Sequence, residues 1–319
     1  MNEKKDLQKI LKRLSNSNQP IDFKKANTLT SDLQSYLDYY GFHIEDINYH
    51  FGKINIDGTQ IMVQMFSPKE SIGTIVLLHG YLDHVGILKN VIQYLNQHKY
   101  RVISYDLQGH GLSEGEEASV QSFSDYVITL EKLMNKTKQE LSAPFYAIGH
   151  STGGAILINY VLKQKETHFD KVILAAPLVR SNFWFFSKLG FYLTKPFPFI
   201  EDIHRNFRNN SSDKKFLNFI EKDPLQPKAI PTEWLSSLIH WNKEIHTYPT
   251  SNKETLLIQG TKDKTVEWKY NLNFVEEKFT KLHVSMIKNG RHQLFNEKLD
   301  IRNQVLQQIV RFLSKEVKT

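Results

Sequence analysis

Ser151 sits in Gly149-His150-Ser151-Thr152-Gly153, after the apolar run Ala143-Pro144-Phe145-Tyr146-Ala147-Ile148 and before Gly154-Ala155-Ile156-Leu157-Ile158. That order reads as a strand, a very tight turn and a helix, which holds a serine hydroxyl at the top of a sheet with the helix aimed at it. The flanking glycines leave room for a backbone bent that sharply. A serine hydroxyl is a poor nucleophile until a histidine takes its proton and a carboxylate orients that histidine. Two later segments supply both groups. Leu256-Leu257-Ile258-Gln259-Gly260-Thr261-Lys262-Asp263 is a strand running into a turn that ends in Asp263, and Val284-Ser285-Met286-Ile287-Lys288-Asn289-Gly290-Arg291-His292 repeats the arrangement for His292. Ser151, Asp263 and His292 then project from the carboxyl ends of strands along one sheet edge, where acyl transfer can be assembled.

The chain contains a control for the serine motif. Gly111-Leu112-Ser113-Glu114-Gly115 has the same spacing, yet it follows Asp106-Leu107-Gln108-Gly109-His110 and runs into Glu116, Glu117 and Ala118. With no apolar strand before it and no amphipathic helix after it, Ser113 is expected to be a loop serine. His150 adjoins Ser151, but a tight turn directs adjacent side chains apart, so it is expected to pack. The oxyanion requires backbone donors. Thr74-Ile75-Val76-Leu77-Leu78-His79-Gly80-Tyr81 is a buried strand ending in His-Gly, and the N–H groups of Tyr81 and Thr152 are the expected pair. The Tyr81 side chain, unconstrained by that role, is available to line an acyl channel.

The elements that must position these groups follow a regular beat. Ile54-Asn55-Ile56, Asp57-Gly58 and Gln60 to Phe66 form a β-hairpin pattern. Apolar runs at Thr74–Leu78, Tyr100–Tyr105, Phe145–Ile148, Val172–Ala175, Thr255–Gln259 and Leu282–Ile287 then alternate with helix-like segments, notably Val85–Gln97, Phe123–Thr137, Ala155–Gln164 and Ile301–Leu313. The pattern predicts an α/β fold, a mostly parallel sheet with helices on both faces. Residues 1–45 form an N-terminal helical extension, with Leu7, Ile10, Leu11 and Leu14 on one face and a second helix near Ser31–Tyr40. The domain proper spans 46–319. Its beat fails between about 177 and 249, a stretch holding 14 of the chain's 38 aromatic residues. Phe183, Trp184, Phe185, Phe186, Phe191 and Tyr192, continued by Phe197 and Phe199, suggest a helical lid binding an apolar substrate; an extra helical layer with its own core is the alternative, and both can hold.

Composition removes several classes. Among 319 residues, 40% are hydrophobic and 24% charged, as in an ordinary globule. The net charge of +7 is scattered among acidic residues, which disfavours nucleic acid and leaves room for peripheral contact with an anionic membrane surface. There is no cysteine, hence no disulfide framework or thiolate metal site. No signal-peptide pattern and no window of membrane-span length occur, so a cytoplasmic location is expected. No metal, nucleotide or organic cofactor is implied, since no H-E-x-x-H, Walker or dinucleotide motif is present. Oligomeric state is not legible.

From about residue 50 onward the chain resembles the monoacylglycerol lipase and lysophospholipase branch of the α/β-hydrolases, the group labelled with the serine aminopeptidase S33 domain. The resemblance is carried by His79-Gly80-Tyr81-Leu82-Asp83-His84, by Asp106 to Gly115, by Gly149 to Gly154, by Gln259-Gly260-Thr261-Lys262-Asp263, and by Gly290-Arg291-His292-Gln293-Leu294-Phe295-Asn296-Glu297. Gln108 stands where the family usually has arginine, Thr152 where methionine is common, and Asp83 where glutamate is more frequent. None of these departures removes a catalytic group. The resemblance implies an α/β-hydrolase fold with a lid and a small amphiphilic lipid ester as substrate, cleaved through Ser151, His292 and Asp263. Short soluble esters come second, an amide or peptide bond third, and a binding module without turnover last.

Overall fold

A computed structural model describes residues 2–164, 166–194, 202–205 and 209–315. The entry hairpin pairs β1 (Ile47–Ile56) with β2 (Thr59–Pro68), Ile56 opposite Thr59. Asp57 and Gly58 between them both take positive φ, the backbone that a two-residue hairpin turn requires. The remaining main-sheet strands are β3 (Gly73–Leu78), β4 (Tyr100–Tyr105), β5 (Phe145–His150), β6 (Lys171–Ala175), β9 (Thr255–Gly260) and β10 (Leu282–Ile287). Among the described residues these eight form one sheet in the order β1-β2-β4-β3-β5-β6-β9-β10. β1 and β2 are antiparallel, β2 pairs antiparallel with β4, and the rest run parallel.

Both faces of the central strands are covered. Val76, Leu78, Ile103, Ala147, Val172 and Leu257 join one core with α4 (Phe123–Glu140), α5 (Thr152–Lys163), α8 (Thr232–Glu244) and α9 (Trp268–Lys278). Ile75, Leu77, Val102, Ile148, Ile173 and Ile258 face the other, with α1 (Asn2–Ser15), α2 (Ser31–Tyr40), α3 (Lys89–Gln97) and α10 (Leu299–Ser314). Continuous apolar strands are what a sheet buried on both sides demands. Leu7, Leu11, Leu14, Leu33, Tyr36 and Leu37 of the extension are buried in this second core. α2 is delimited by Thr30, whose hydroxyl accepts from Leu33 N–H, and by Gly41 at φ 72.

Two expectations need adjustment. Val85–Gln97 is not one helix: a 3-10 turn over Val85–Leu88, capped by His84, precedes α3. The helix α9 between the last two strands is not among the segments that periodicity picks out. The stretch after β6 holds α6 (Trp184–Thr194), β7 (Asp202–His204), α7 (Lys214–Ile220), β8 (Ala229–Pro231) and α8, with β7 and β8 paired antiparallel. Its last helix packs into the main core: Trp241 of α8 stacks on Phe123 of α4 at 4.4 Å and donates from Nε1 to Asn159 of α5. Phe197 and Phe199 lie outside the described residues. Among the described residues, no helix is long and apolar enough to cross a membrane.

Candidate active site

Chain direction changes beside β3: the path leaves it for β4 and returns on its other side as β5. Crevices at the carboxyl ends of strands form at such a reversal, and Ser151 stands there, directly after β5. Its φ of 52° and ψ of −112° lie where non-glycine residues rarely go. The neighbours make that bend possible. A side chain at Gly149 would overlap the carbonyl of Gly153, and one at Gly153 would sit 2.5 Å from the carbonyl oxygen of Leu78. Ser151 N–H is anchored on Ala175 O at 3.0 Å, so the strained turn is fixed to the adjacent strand.

The three groups named from sequence come together. Ser151 Oγ lies 3.0 Å from His292 Nε2, and His292 Nδ1 lies 2.8 Å from Asp263 Oδ2. The carboxylate accepts the Nδ1 proton, which leaves Nε2 to accept from the serine hydroxyl. Asp263 is well supplied with donors: Thr265 N–H at 2.8 Å and Val266 N–H at 3.2 Å on Oδ1, and Gln259 Nε2 at 3.1 Å on Oδ2. Burial alone would push this carboxyl up, but His292 beside it and these donors outweigh burial and hold it below its ordinary value. All three residues are buried, with Ser151 at 6% exposure.

The β3 turn packs against the serine. A side chain at Gly80 would stand 3.1 Å from Ser151 Cβ. The Gly80 carbonyl accepts from His79 Nδ1–H at 2.7 Å and from Asp83 N–H at 3.1 Å, while His79 Nε2 accepts from Leu107 N–H at 2.9 Å. Those bonds fix one neutral tautomer of His79, and burial keeps its pKa well below the usual range. A trans peptide points its C=O and N–H in opposite directions, so pinning the Gly80 carbonyl also orients Tyr81 N–H. The Tyr81 side chain is committed elsewhere: its hydroxyl donates to Ala118 O at 2.7 Å and its ring stacks on Trp234 at 3.5 Å. Thr152 opens α5, and its buried Oγ1 has no hydrogen-bond partner among the described residues.

Several supporting residues hold the site through tertiary contacts that local sequence does not specify. His150 does more than fill space: its Nε2 donates to the carbonyl of His292 at 2.9 Å. Burial, reinforced by His292, lowers its pKa to about 3, which favours the neutral ring. Asp83, pushed up by burial, accepts from Gln293 Nε2 at 3.0 Å and so joins the β3 turn to the His292 loop. Glu297 accepts Arg291 N–H at 2.5 Å and Ser212 N–H at 2.6 Å, fastening that loop to the insertion. Gln293 and Glu297 lie in the segment after His292, where proximity in sequence was the available signal.

The aromatic residues of the insertion divide. Trp184 is 5% exposed and Phe191 is half-buried, both packed on the core. Phe183, Phe185, Phe186 and Tyr192 face solvent, Phe185 at 68% exposure, beside exposed Leu189 and Leu193. Phe185, Phe186, Leu189, Tyr192 and Leu193 therefore form an outward apolar face on α6, with Phe183 just ahead of the helix.

Comparison with known proteins agrees with this architecture. Residues 69–299 match the family model described as serine aminopeptidase, S33. The chain is 26% identical to a protein named monoglyceride lipase from Rattus norvegicus over 273 residues, 83% of this chain and 90% of that one. A crystal structure of a soluble variant of monoglyceride lipase from Saccharomyces cerevisiae, in complex with a substrate analog, superposes with TM-score 0.74 at 19% identity, covering 88% of this chain and 99% of the other. A thermostable carboxyl esterase from Bacillus coagulans, in complex with glycerol, gives TM-score 0.65 at 17% identity, covering 83% and 97%. At those identities the two structures speak for the fold alone.

Proposed function

The chain belongs to the serine aminopeptidase S33 family of α/β-hydrolases, and on that premise we propose that it hydrolyses the carboxylic ester of a single-chain lipid, of the monoacylglycerol or lysophospholipid kind, through an acyl-enzyme on Ser151. The observation that carries the reading is the unbroken hydrogen-bond chain from Asp263 through His292 to Ser151. Ser151 Oγ attacks the ester carbonyl carbon as His292 Nε2 takes its proton, and Asp263 stabilises the imidazolium. The negative oxygen is held by the N–H groups of Tyr81 and Thr152 at the positive end of α5. His292 then returns the proton to the leaving alcohol, the C–O bond breaks, and a water activated by the same imidazole releases the fatty acid. No step in this route uses a metal or organic cofactor.

The lipid part rests on the relatives' names and on the apolar face of α6. Exposed aromatic and aliphatic side chains gathered on one helix favour an amphiphile surface over a soluble ester. Lys188 over the Trp184 ring at 5.9 Å and Lys243 beside the Tyr192 hydroxyl set positive charge next to that face, suited to peripheral contact with an anionic interface.

The test is a double variant, Phe185→Ala with Phe186→Ala, assayed on long-chain monoacylglycerol and lysophosphatidylcholine micelles and on p-nitrophenyl acetate. Each methylene withdrawn from water is worth about 0.8 kcal/mol. Long-chain turnover is expected to fall about tenfold or more, and acetate turnover to stay near wild type. An equal fall on both would remove the lipid assignment.

A further inference from the structure

Behind the β3 turn, three distant segments meet at one buried carboxylate. Asp223, in the insertion after α7, accepts from Tyr40 OH on Oδ1 at 2.8 Å, from Leu225 N–H on Oδ1 at 3.0 Å, and from His84 Nε2–H on Oδ2 at 2.8 Å. The side chains of His84 and Asp223 are fully buried and Tyr40 is 2% exposed. His84 Nδ1 accepts from Gly86 N–H at 3.1 Å, which leaves the ring proton on Nε2, facing Asp223. The contact with the extension also includes the Tyr40 ring. A side chain at Gly86 would stand 2.7 Å from Tyr40 Cδ1, so glycine there lets the ring close on the turn. Phe219 of α7 packs edge-on against Tyr40 at 6.0 Å.

A buried carboxylate is costly unless its donors are in place, and these donors come from the extension, the insertion and the turn that carries Tyr81. Only Tyr81, Leu82 and Asp83 separate Gly80, packed on Ser151, from His84, bonded to Asp223. We propose that Asp223 and Tyr40 are positioning residues for the oxyanion turn, so that the N-terminal extension, outside the family-matched region, helps to set where the Tyr81 N–H stands. This inference rests on the acyl-enzyme reading given above. The bonds to Asp223 do not include Ser151; the network acts on a donor that matters chiefly in the transition state, where small displacements count heavily.

Tyr40→Phe keeps the ring and deletes the hydroxyl. The expected result is a kcat lower by about fivefold with KM unchanged, and the same factor on acetyl and long-chain esters, because the oxyanion is common to both. A thionoester adds a readout that a general loosening would not move: sulfur is larger and accepts hydrogen bonds weakly, so a sound oxyanion hole discriminates against it. The ester-to-thionoester rate ratio should fall in Tyr40→Phe in step with kcat. Asp223→Asn should lose more, about 10- to 100-fold, and the double variant no more than Asp223→Asn alone, since both act through one carboxylate. If Asp223→Asn does not fold, Tyr40→Phe decides. A wild-type kcat and thionoester ratio in Tyr40→Phe, even with a lowered Tm, would overturn the inference, and so would a loss confined to long-chain substrates. Ser151→Ala run in parallel separates the two failures. An active Ser151→Ala overturns the acyl-enzyme reading and the inference with it; an inactive one beside an unaffected Tyr40→Phe overturns the inference alone.

Discussion

Two turns with the same Gly-x-Ser-x-Gly spacing lie in this chain, and they place their strain on opposite residues. In the turn over 111–115 the glycines themselves take positive φ, 55° and 116°, and Ser113 does not. Its hydroxyl is fully occupied, donating to Asp106 O at 2.6 Å and accepting from Met62 N–H at 2.8 Å. In the turn over 149–153 the serine takes positive φ and the glycines serve closeness. There the hydroxyl points at an imidazole instead of closing a backbone bond. One pattern thus serves as a strut where the glycines absorb the bend, and presents a hydroxyl to an imidazole where the serine absorbs it.

The largest expected effect separates the two serines by activity. Ser151→Ala should lower turnover at least about 10⁴-fold and abolish fluorophosphonate labelling, while Ser113→Ala leaves both nearly intact. Stability should rank the other way. Ser113→Ala strands the Met62 N–H and costs about 1–3 kcal/mol, read as a lowered urea midpoint, more than Ser151→Ala costs. Inactive Ser113→Ala protein with a wild-type midpoint would reverse the comparison.

The glycines give a smaller contrast. Gly153→Ala drives a methyl into the Leu78 and His79 carbonyls, 2.5 and 2.8 Å away, which are backbone and cannot swing aside. About 3 kcal/mol or more should be lost, together with kcat, because Thr152 N–H shifts with its neighbour. Gly115→Ala meets the Gln108 side chain at 2.8 Å, the Gly109 backbone nitrogen less tightly at 3.0 Å, and a φ of 116°, and should cost about 1–3 kcal/mol with kcat retained. Equal kcat losses would show that both turns govern the site.

The smallest effect concerns the acid near each turn. Asp263 is held below its ordinary value, so its contribution to stability is present above the unfolded value of about 3.9 and is lost as pH falls through the lower folded one. Asp106 is raised by burial, so its favourable contribution is present below about 3.9 and is lost as pH rises through the higher folded value. Urea midpoints between pH 3 and 7 should show the stability advantage of wild type over Asp263→Asn shrinking toward acid, and that over Asp106→Asn growing. Parallel curves would contradict the opposed environments.

What could be read in advance divides along the same physical line. The sheet was legible because buried parallel strands such as β3 and β4 must be apolar on both faces; the run at Leu282–Ile287 also coincides with a strand, though β10 is a largely exposed edge. Ser151, Asp263 and His292 were legible as a set because each follows a strand directly, so local order fixes which sheet edge they share. The tie of His84 and Tyr40 to Asp223 was not, since its members are 139 and 183 residues apart and no local spacing encodes a tertiary meeting. Aromatic density marked the insertion, yet which rings turn inward depends on what α6 packs against. Trp184 and Phe185 are adjacent, one buried and one exposed.

Every residue of α5 from Thr152 through Leu162 is buried, between the sheet and the layers above it. Amide hydrogens in such a helix are expected to exchange only through large-scale unfolding, and those of α6, whose outward face lies open, through local opening. Deuterium uptake should therefore be slowest in the helix that carries the nucleophile turn and fast in the one that carries the exposed phenylalanines. If uptake follows that order, the Ser151 turn is mounted on a helix that opens later than the one bearing the apolar face.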